Sequence, residues 1–344
     1  MMGISRPLSA FVAAIALVGA ADAPPLPVVR DLGANLERFD YPWPVQIMTV
    51  DVIGQPARMA FMDVAAERPN GRAVVLLHGK NFCGATWESS VRSLTRAGYR
   101  VLIPDQIGFC KSSKPRAAQY SLEMMATLTR RLMESRGISR ASIVGHSMGG
   151  MLAMRFAIMF PASVDRLVLV NPLGLKDSSE EGLGYADVDT LWASERKTDF
   201  ASIKAYQLIN YYHGTWKPAY DRWVWMLAGM YQGAGRDTVA LAQAKASEMI
   251  YTQTVAHELE RITSPTTLIV GTLDKTAFGR QRAPASLQQF MQAIPQAAPA
   301  AMRRMKNAVL IRLDGLGHAP QIEAPERFDP VLLEAVRPPP RRSN

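Results

Sequence analysis

Gly145-His146-Ser147-Met148-Gly149 is the stretch that most limits what this chain can fold into. It follows the strand-like run Ala141-Ser142-Ile143-Val144 and leads into Gly150-Met151-Leu152-Ala153-Met154-Arg155-Phe156-Ala157, which reads as a helix. A serine between glycines at a strand-to-helix junction is the pattern of a nucleophile elbow. So tight a turn strains the backbone at the serine, and a side chain at either glycine would collide with neighbouring backbone. The following helix directs its positive N-terminus at the place where an oxyanion would form. The pattern predicts a nucleophilic Ser147; the alternative, a structural turn serine, leaves the flanking context unexplained.

Serine is a poor nucleophile near neutrality unless a base takes its proton and an acid orients that base. The chain offers five histidines. His318 lies in Gly317-His318-Ala319-Pro320, just past the strand-like Ala308-Val309-Leu310-Ile311-Arg312, where packing gives no reason for an imidazole. His78 precedes Gly79 at a strand end and reads as support for a neighbouring loop. His146 is the second residue of the elbow, with its side chain expected to point away from Ser147; His213 and His257 sit in polar stretches. His318 is therefore the expected base. For the acid, Asp274 follows the apolar run Thr266-Thr267-Leu268-Ile269-Val270-Gly271 within a turn. The order Ser147, Asp274, His318 suits an elbow of this type. Asp177, a few residues after Leu167-Val168-Leu169-Val170, ranks second because it would need a longer reach.

An oxyanion hole needs two backbone N–H groups. Met148, directly after the nucleophile, is expected to supply one. The loop after Val74-Val75-Leu76-Leu77 supplies the other, with Lys80 the expected donor and Asn81 the choice if the loop shifts by one residue. The Lys80 side chain needs no catalytic role in this reading.

These residues resemble the α/β-hydrolase fold superfamily over most of the chain. The likeness is carried by Leu76-Leu77-His78-Gly79, Ile103-Pro104-Asp105-Gln106-Ile107-Gly108-Phe109, the elbow, and Gly317-His318-Ala319-Pro320-Gln321-Ile322-Glu323-Ala324-Pro325-Glu326-Arg327-Phe328. One position departs from it: Cys110 stands where relatives usually carry glycine. The resemblance implies an eight-stranded, mostly parallel sheet with helices on both faces. The chain's own pattern agrees, with strands expected at 45–52, 59–64, 73–78, 100–104, 141–145, 164–171, 266–271 and 308–313. Continuous apolar runs are what strands buried on both faces require. The expected core is 45–174 with 263–337.

The stretch 175–262 is far longer than one crossover needs. It is crowded with rings: Trp192, Tyr206, Tyr211, Tyr212, Trp216, Tyr220, Trp223, Trp225 and Tyr231. In the superfamily this insertion point carries a helical cap. Some of these rings are expected to line an apolar pocket, with Trp223 and Trp225 the chosen walls, so that the substrate is a small molecule with a hydrophobic portion.

At the N-terminus, Arg6, the apolar run Leu8 to Ala20 and Ala21-Asp22-Ala23 form a signal-peptide pattern over 1–23. Cleavage near Ala23 and a periplasmic or secreted location follow as expectations, with an uncleaved anchor as the alternative. The mature chain is not expected to insert stably in a membrane. A Pro-rich arm, 24–44, precedes the sheet, and 338–344 reads as a tail. Two cysteines in an exported chain invite a bridge. In the implied fold Cys83 and Cys110 lie in loops at one edge of the site, so a disulfide and two separate buried thiols both stand open. The net charge is +9, but its Lys and Arg are scattered, which gives nucleic-acid binding little support. No metal-ligand spacing or dinucleotide fingerprint is present, so the expected chemistry needs no metal or other cofactor.

Hydrolysis of a carboxylic ester or lactone through an acyl-enzyme is the expected reaction. Amidase or proline-iminopeptidase-type cleavage, carbon–carbon bond hydrolysis, acyl transfer and ligand binding without turnover use the same constellation. Haloalkane and epoxide hydrolysis are disfavoured, because those relatives carry an aspartate where this chain has Ser147. Oligomeric state has no signature in the sequence.

Overall fold

The computed structural model describes residues 28–338. The signal-peptide stretch, the first residues of the arm and nearly all of the tail lie outside the described residues. Eight strands form one sheet: β1 Gln46–Val52, β2 Gln55–Val64, β3 Ala73–Leu77, β4 Arg100–Pro104, β5 Ala141–His146, β6 Val164–Val170, β7 Thr266–Gly271 and β8 Ala308–Leu313. Their spatial order is β1-β2-β4-β3-β5-β6-β7-β8, and only the β1–β2 and β2–β4 pairs are antiparallel.

The alternation of side chains along these strands divides the core into two layers. Val75, Leu77, Ile143, Leu167 and Leu268 join one buried cluster; Val74, Leu76, Val144, Val168 and Ile269 join another. Successive residues point to opposite faces of a sheet, so each all-apolar strand feeds both layers. Helices α1 (Glu88–Arg96), α2 (Leu122–Ser135) and α3 (Met148–Met159) connect the central strands. Between β6 and β7 come α4 (Val188–Glu195), α5 (Phe200–Asn210), α6 (Asp221–Met230) and α7 (Arg236–Thr252). The short α8 (Ala285–Gln288) and α9 (Ile294–Arg304) precede β8; α10 (Pro320–Glu323) and α11 (Pro325–Val336) follow it.

The edge hairpin differs from expectation. β2 begins at Gln55 rather than Met59, because Ile53 and Gly54 both take positive φ (52° and 74°) and pair Val52 directly with Gln55. Two successive left-handed residues make the tight turn that suits strand twist. The exposed Gln55, Pro56 and Arg58 hid this half of the strand, since it lacks an apolar run.

The arm's described part straps across the molecule. Leu32 N donates to Gly229 O on α6 at 3.0 Å. Lys111 Nζ donates to Leu36 O at 2.5 Å, and Tyr41 Oη donates to Asp105 Oδ2 at 2.7 Å. Among the described residues no helix is long and apolar enough to cross a membrane.

Candidate active site

β5 delivers Ser147 to the head of α3 with φ 56° and ψ −119°, a conformation strained for any residue with a Cβ. The glycines around it are required by space. A Cβ on Gly145 would lie 2.1 Å from Gly149 O, and one on Gly149 would lie 2.3 Å from Leu77 O. Met148 opens α3, so its N–H has no partner within the helix and faces the same end. The loop after β3 passes close by: a Cβ on Gly79 would sit 3.0 Å from Ser147 Cβ. That approach brings Lys80 and Asn81 into the cavity that Ser147 lines.

His318 Nδ1 and Asp274 Oδ2 are 2.8 Å apart, and both side chains are fully buried. Asp274 Oδ1 accepts from Thr276 N at 2.8 Å, which fixes the carboxylate plane. The far ring nitrogen of His318, Nε2, is buried and has no hydrogen-bond partner among the described residues. The rival Asp177 is elsewhere, holding the His257 ring at 2.9 Å on the surface.

The ring of His318 is held from several directions. Its main-chain N–H donates to Tyr211 O at 2.8 Å, and the Tyr211 ring stacks on the imidazole with centroids 4.5 Å apart. Its main-chain oxygen lies 2.8 Å from His146 Nε2 and 2.9 Å from Asn171 Nδ2. Burial holds His146 well below the usual histidine range, so its ring is neutral and Nε2–H is the donor. The side chain of His146 thus holds the loop of His318.

His78 braces the loop after β3. Gln106 N donates to its Nε2 at 3.1 Å, which leaves Nδ1–H to donate to Gly79 O at 2.9 Å. Burial lowers its pKa, in keeping with that neutral form. The loop is bolted further by a Cys83–Cys110 disulfide, with Cα atoms 5.7 Å apart. His78, Asp105 and Cys110 approach closely enough to suggest a metal site. They do not fit one, because the cysteine is bonded to its partner and both His78 nitrogens are occupied.

A cavity of about 340 Å³ opens above Ser147, roofed by α4 to α7. Its apolar wall includes Leu173, Leu191, Ile203, Leu227, Met230 and Phe278. Trp223 and Trp225 are not among the lining residues, a correction to the expected pocket walls. Two residues apart on a helix, they cannot share a face. Trp223 is buried in the main core, and Trp225 packs on Phe200 at 4.4 Å; Leu227, Met230 and Tyr231 fill the cavity side instead.

Tyr211 and Lys80 tie roof to floor. Asn81 Nδ2 donates to Tyr211 Oη at 2.9 Å, and Lys80 Nζ pairs with Glu195 Oε1 of α4 at 2.7 Å, with Tyr231 Oη donating to the same carboxylate at 2.9 Å. Burial drives the Tyr211 hydroxyl well above its ordinary value, so it stays protonated. Asn171 and Tyr211 had no local signal in the sequence: each acts on His318 across more than a hundred residues of chain.

The chain belongs to the α/β-hydrolase fold family, which matches residues 72–325. A solved structure described as a "probable hydrolytic enzyme" from Pseudomonas aeruginosa PAO1 is 47% identical, with TM-score 0.88 over 90% of this chain and 99% of that one. Several curated relatives match over shorter stretches. The 2-hydroxy-6-oxo-6-phenylhexa-2,4-dienoate hydrolase of Comamonas testosteroni is 37% identical over 32% of this chain and 39% of its own. The 2-hydroxy-6-oxo-2,4-heptadienoate hydrolase of Pseudomonas putida is 33% identical over 36% of this chain and 44% of its own. The matched stretch spans about a third of the length of the first curated relatives, from 30% to 39%.

Proposed function

We propose that this protein is a serine hydrolase that cleaves a carboxylic ester or lactone through an acyl-enzyme. The observation that carries the reading is the strained Ser147 at the floor of one cavity, beside two loops, one after β7 and one after β8, that bring together the buried His318–Asp274 pair. Ser147 Oγ attacks the carbonyl carbon while His318 Nε2 takes its proton. Asp274 holds the imidazole by Nδ1 and stabilises its charged form. The amides of Met148 and Lys80 receive the oxyanion. The protonated imidazole then gives its proton to the leaving oxygen as the carbon–oxygen bond breaks. Water, deprotonated by His318, attacks the acyl carbon and releases the acid and Ser147.

A second reading is favoured by the named relatives, both dienoate hydrolases: hydrolysis of a carbon–carbon bond in a dicarbonyl compound. The test is hydrolysis of p-nitrophenyl esters of graded acyl length by wild type and Ser147→Ala. Turnover by the wild type, abolished in the variant, supports the ester reading. A wild type inert toward every ester but active on a vinylogous diketone replaces it with the second.

We also propose that the chain is exported with cleavage near Ala23. The pattern of Arg6, the apolar run and Ala21-Asp22-Ala23 supports this, as does a disulfide, which persists in oxidising compartments. N-terminal sequencing of protein from the periplasm or medium should begin near Pro24; intact Met1 there would contradict it.

A further inference from the structure

Buried polar groups need partners, and several residues in the wall of this cavity have side-chain atoms without one among the described residues. Gln207 lies on α5 one turn after Ile203, and both residues line the cavity. The Gln207 side chain is fully buried, yet neither its Oε1 nor its Nε2 has a hydrogen-bond partner among the described residues. Gln243 on α7 is 4% exposed, lines the same cavity and leaves Oε1 without a partner. Thr276, two residues past Asp274, is 5% exposed, lines it too and leaves Oγ1 without one. Three elements separated in sequence thus set residues with buried, unpaired amide and hydroxyl atoms in the wall of one chamber.

Leaving a buried donor or acceptor unpaired costs on the order of 1–3 kcal/mol. Leucine or methionine would fill any of these positions without that cost. The neighbouring Leu227, Met230 and Ile250 show that the chamber tolerates apolar walls. Glu195 and Lys80, which also face the cavity, neutralise one another, and the remaining charged lining residue, Arg282, is exposed.

We propose that Gln207, with Gln243 and Thr276, is a specificity determinant that reads a second, uncharged oxygen function on the substrate. The ligand class is an acyl compound carrying a keto or hydroxyl group some carbons away from the scissile carbonyl. An amide N–H and a threonine O–H donate to a ketone, and the Gln207 and Gln243 oxygens accept from a hydroxyl. The inference rests on the ester-hydrolase reading for its substrate, though not for its binding site. A site built to hydrogen-bond an oxygen discriminates strongly against an analogue that lacks it.

The test uses p-nitrophenyl esters of unbranched keto acids, with the keto group moved outward one carbon at a time. Each is paired with the isosteric methyl-branched alkyl ester. At one position or two adjacent ones, wild type should favour the keto ester by about ten-fold or more in kcat/KM. Gln207→Leu should bring that ratio to about one, and Gln207→Met should do the same if leucine disturbs folding. A wild type without preference at any position, or variants that lower both members of a pair alike, would overturn the proposal. Should no ester be turned over, the ester reading fails, and binding is read directly on Ser147→Ala by thermal shift with the free keto acids. A larger shift by a keto acid than by its isostere, dependent on Gln207, upholds the site; equal shifts overturn it.

Discussion

Asn171 donates from its side-chain amide to the main-chain oxygen of His318 at 2.9 Å, and to Gly317 O at 3.0 Å. Its Oδ1 accepts from Gly271 N at 3.0 Å, at the end of the strand that leads to Asp274. The residue takes φ 39° to do so and is wholly buried. One side chain therefore sets the loop of His318 against the strand that leads to Asp274. Asn171→Asp keeps the shape but turns a carboxylate oxygen toward two carbonyl oxygens. A displacement of the base by about 1 Å costs about 10²-fold in rate. The variant should lose roughly that much kcat, with KM little changed, when both are measured on the preferred ester beside a melting curve. A folded variant with wild-type kcat would contradict the positioning role.

Cys110 stands at φ 49°, in the left-handed region that favours glycine. Its bond to Cys83 closes a loop across 27 residues and anchors the segment that carries Lys80. Closing a loop of that order contributes about 3.5 kcal/mol through the unfolded state. The double variant Cys83→Ala with Cys110→Gly should lose somewhat less than this, because glycine relieves the backbone at position 110. Urea unfolding of the variant against the oxidised wild type reads the difference, and equal midpoints would show the bridge to be dispensable.

Lys114 gives the molecule a pH dependence of its own. Its Nζ is buried beneath the arm and donates to Cys110 O at 2.8 Å and to Ser112 O and Asn35 Oδ1, both at 3.1 Å. Burial lowers its pKa to about 7, against the opposing pull of Asp105 and Glu37. Between about pH 7 and the ordinary lysine value of 10.5, the unfolded chain holds a proton that the folded chain has shed. Stability should therefore rise with pH across that window and carry no slope from this group below it. Lys114→Met should flatten the rise in urea midpoints measured from neutral to alkaline pH. Parallel profiles for variant and wild type would rule the contribution out.

Much of the sheet was legible because β3, β5 and β7 are buried on both faces, and such strands have to be written as unbroken apolar runs. Ser147, Asp274 and His318 were singled out for a different reason: each follows a strand end, and the glycines beside Ser147 and His318 are required by close backbone contacts. The cavity walls were not legible. A ring-rich cap gives no sign of which helix face turns inward, so Trp223 and Trp225 drew attention while Leu227 and Met230 do the lining. Gln207 was invisible for the same reason, since a glutamine on a helix looks like a solvated one until its burial is known. Asn171 and Tyr211 work through contacts that only the closed sheet creates.

If Ser147 is a nucleophile activated by His318, a fluorophosphonate probe should react with it covalently. Intact-mass and peptide analysis of treated wild type should show one adduct, on the peptide bearing Ser147, and His318→Ala should label far more slowly under the same conditions. An ester-hydrolysing wild type that takes no adduct at Ser147, or labels equally well without His318, would contradict the account.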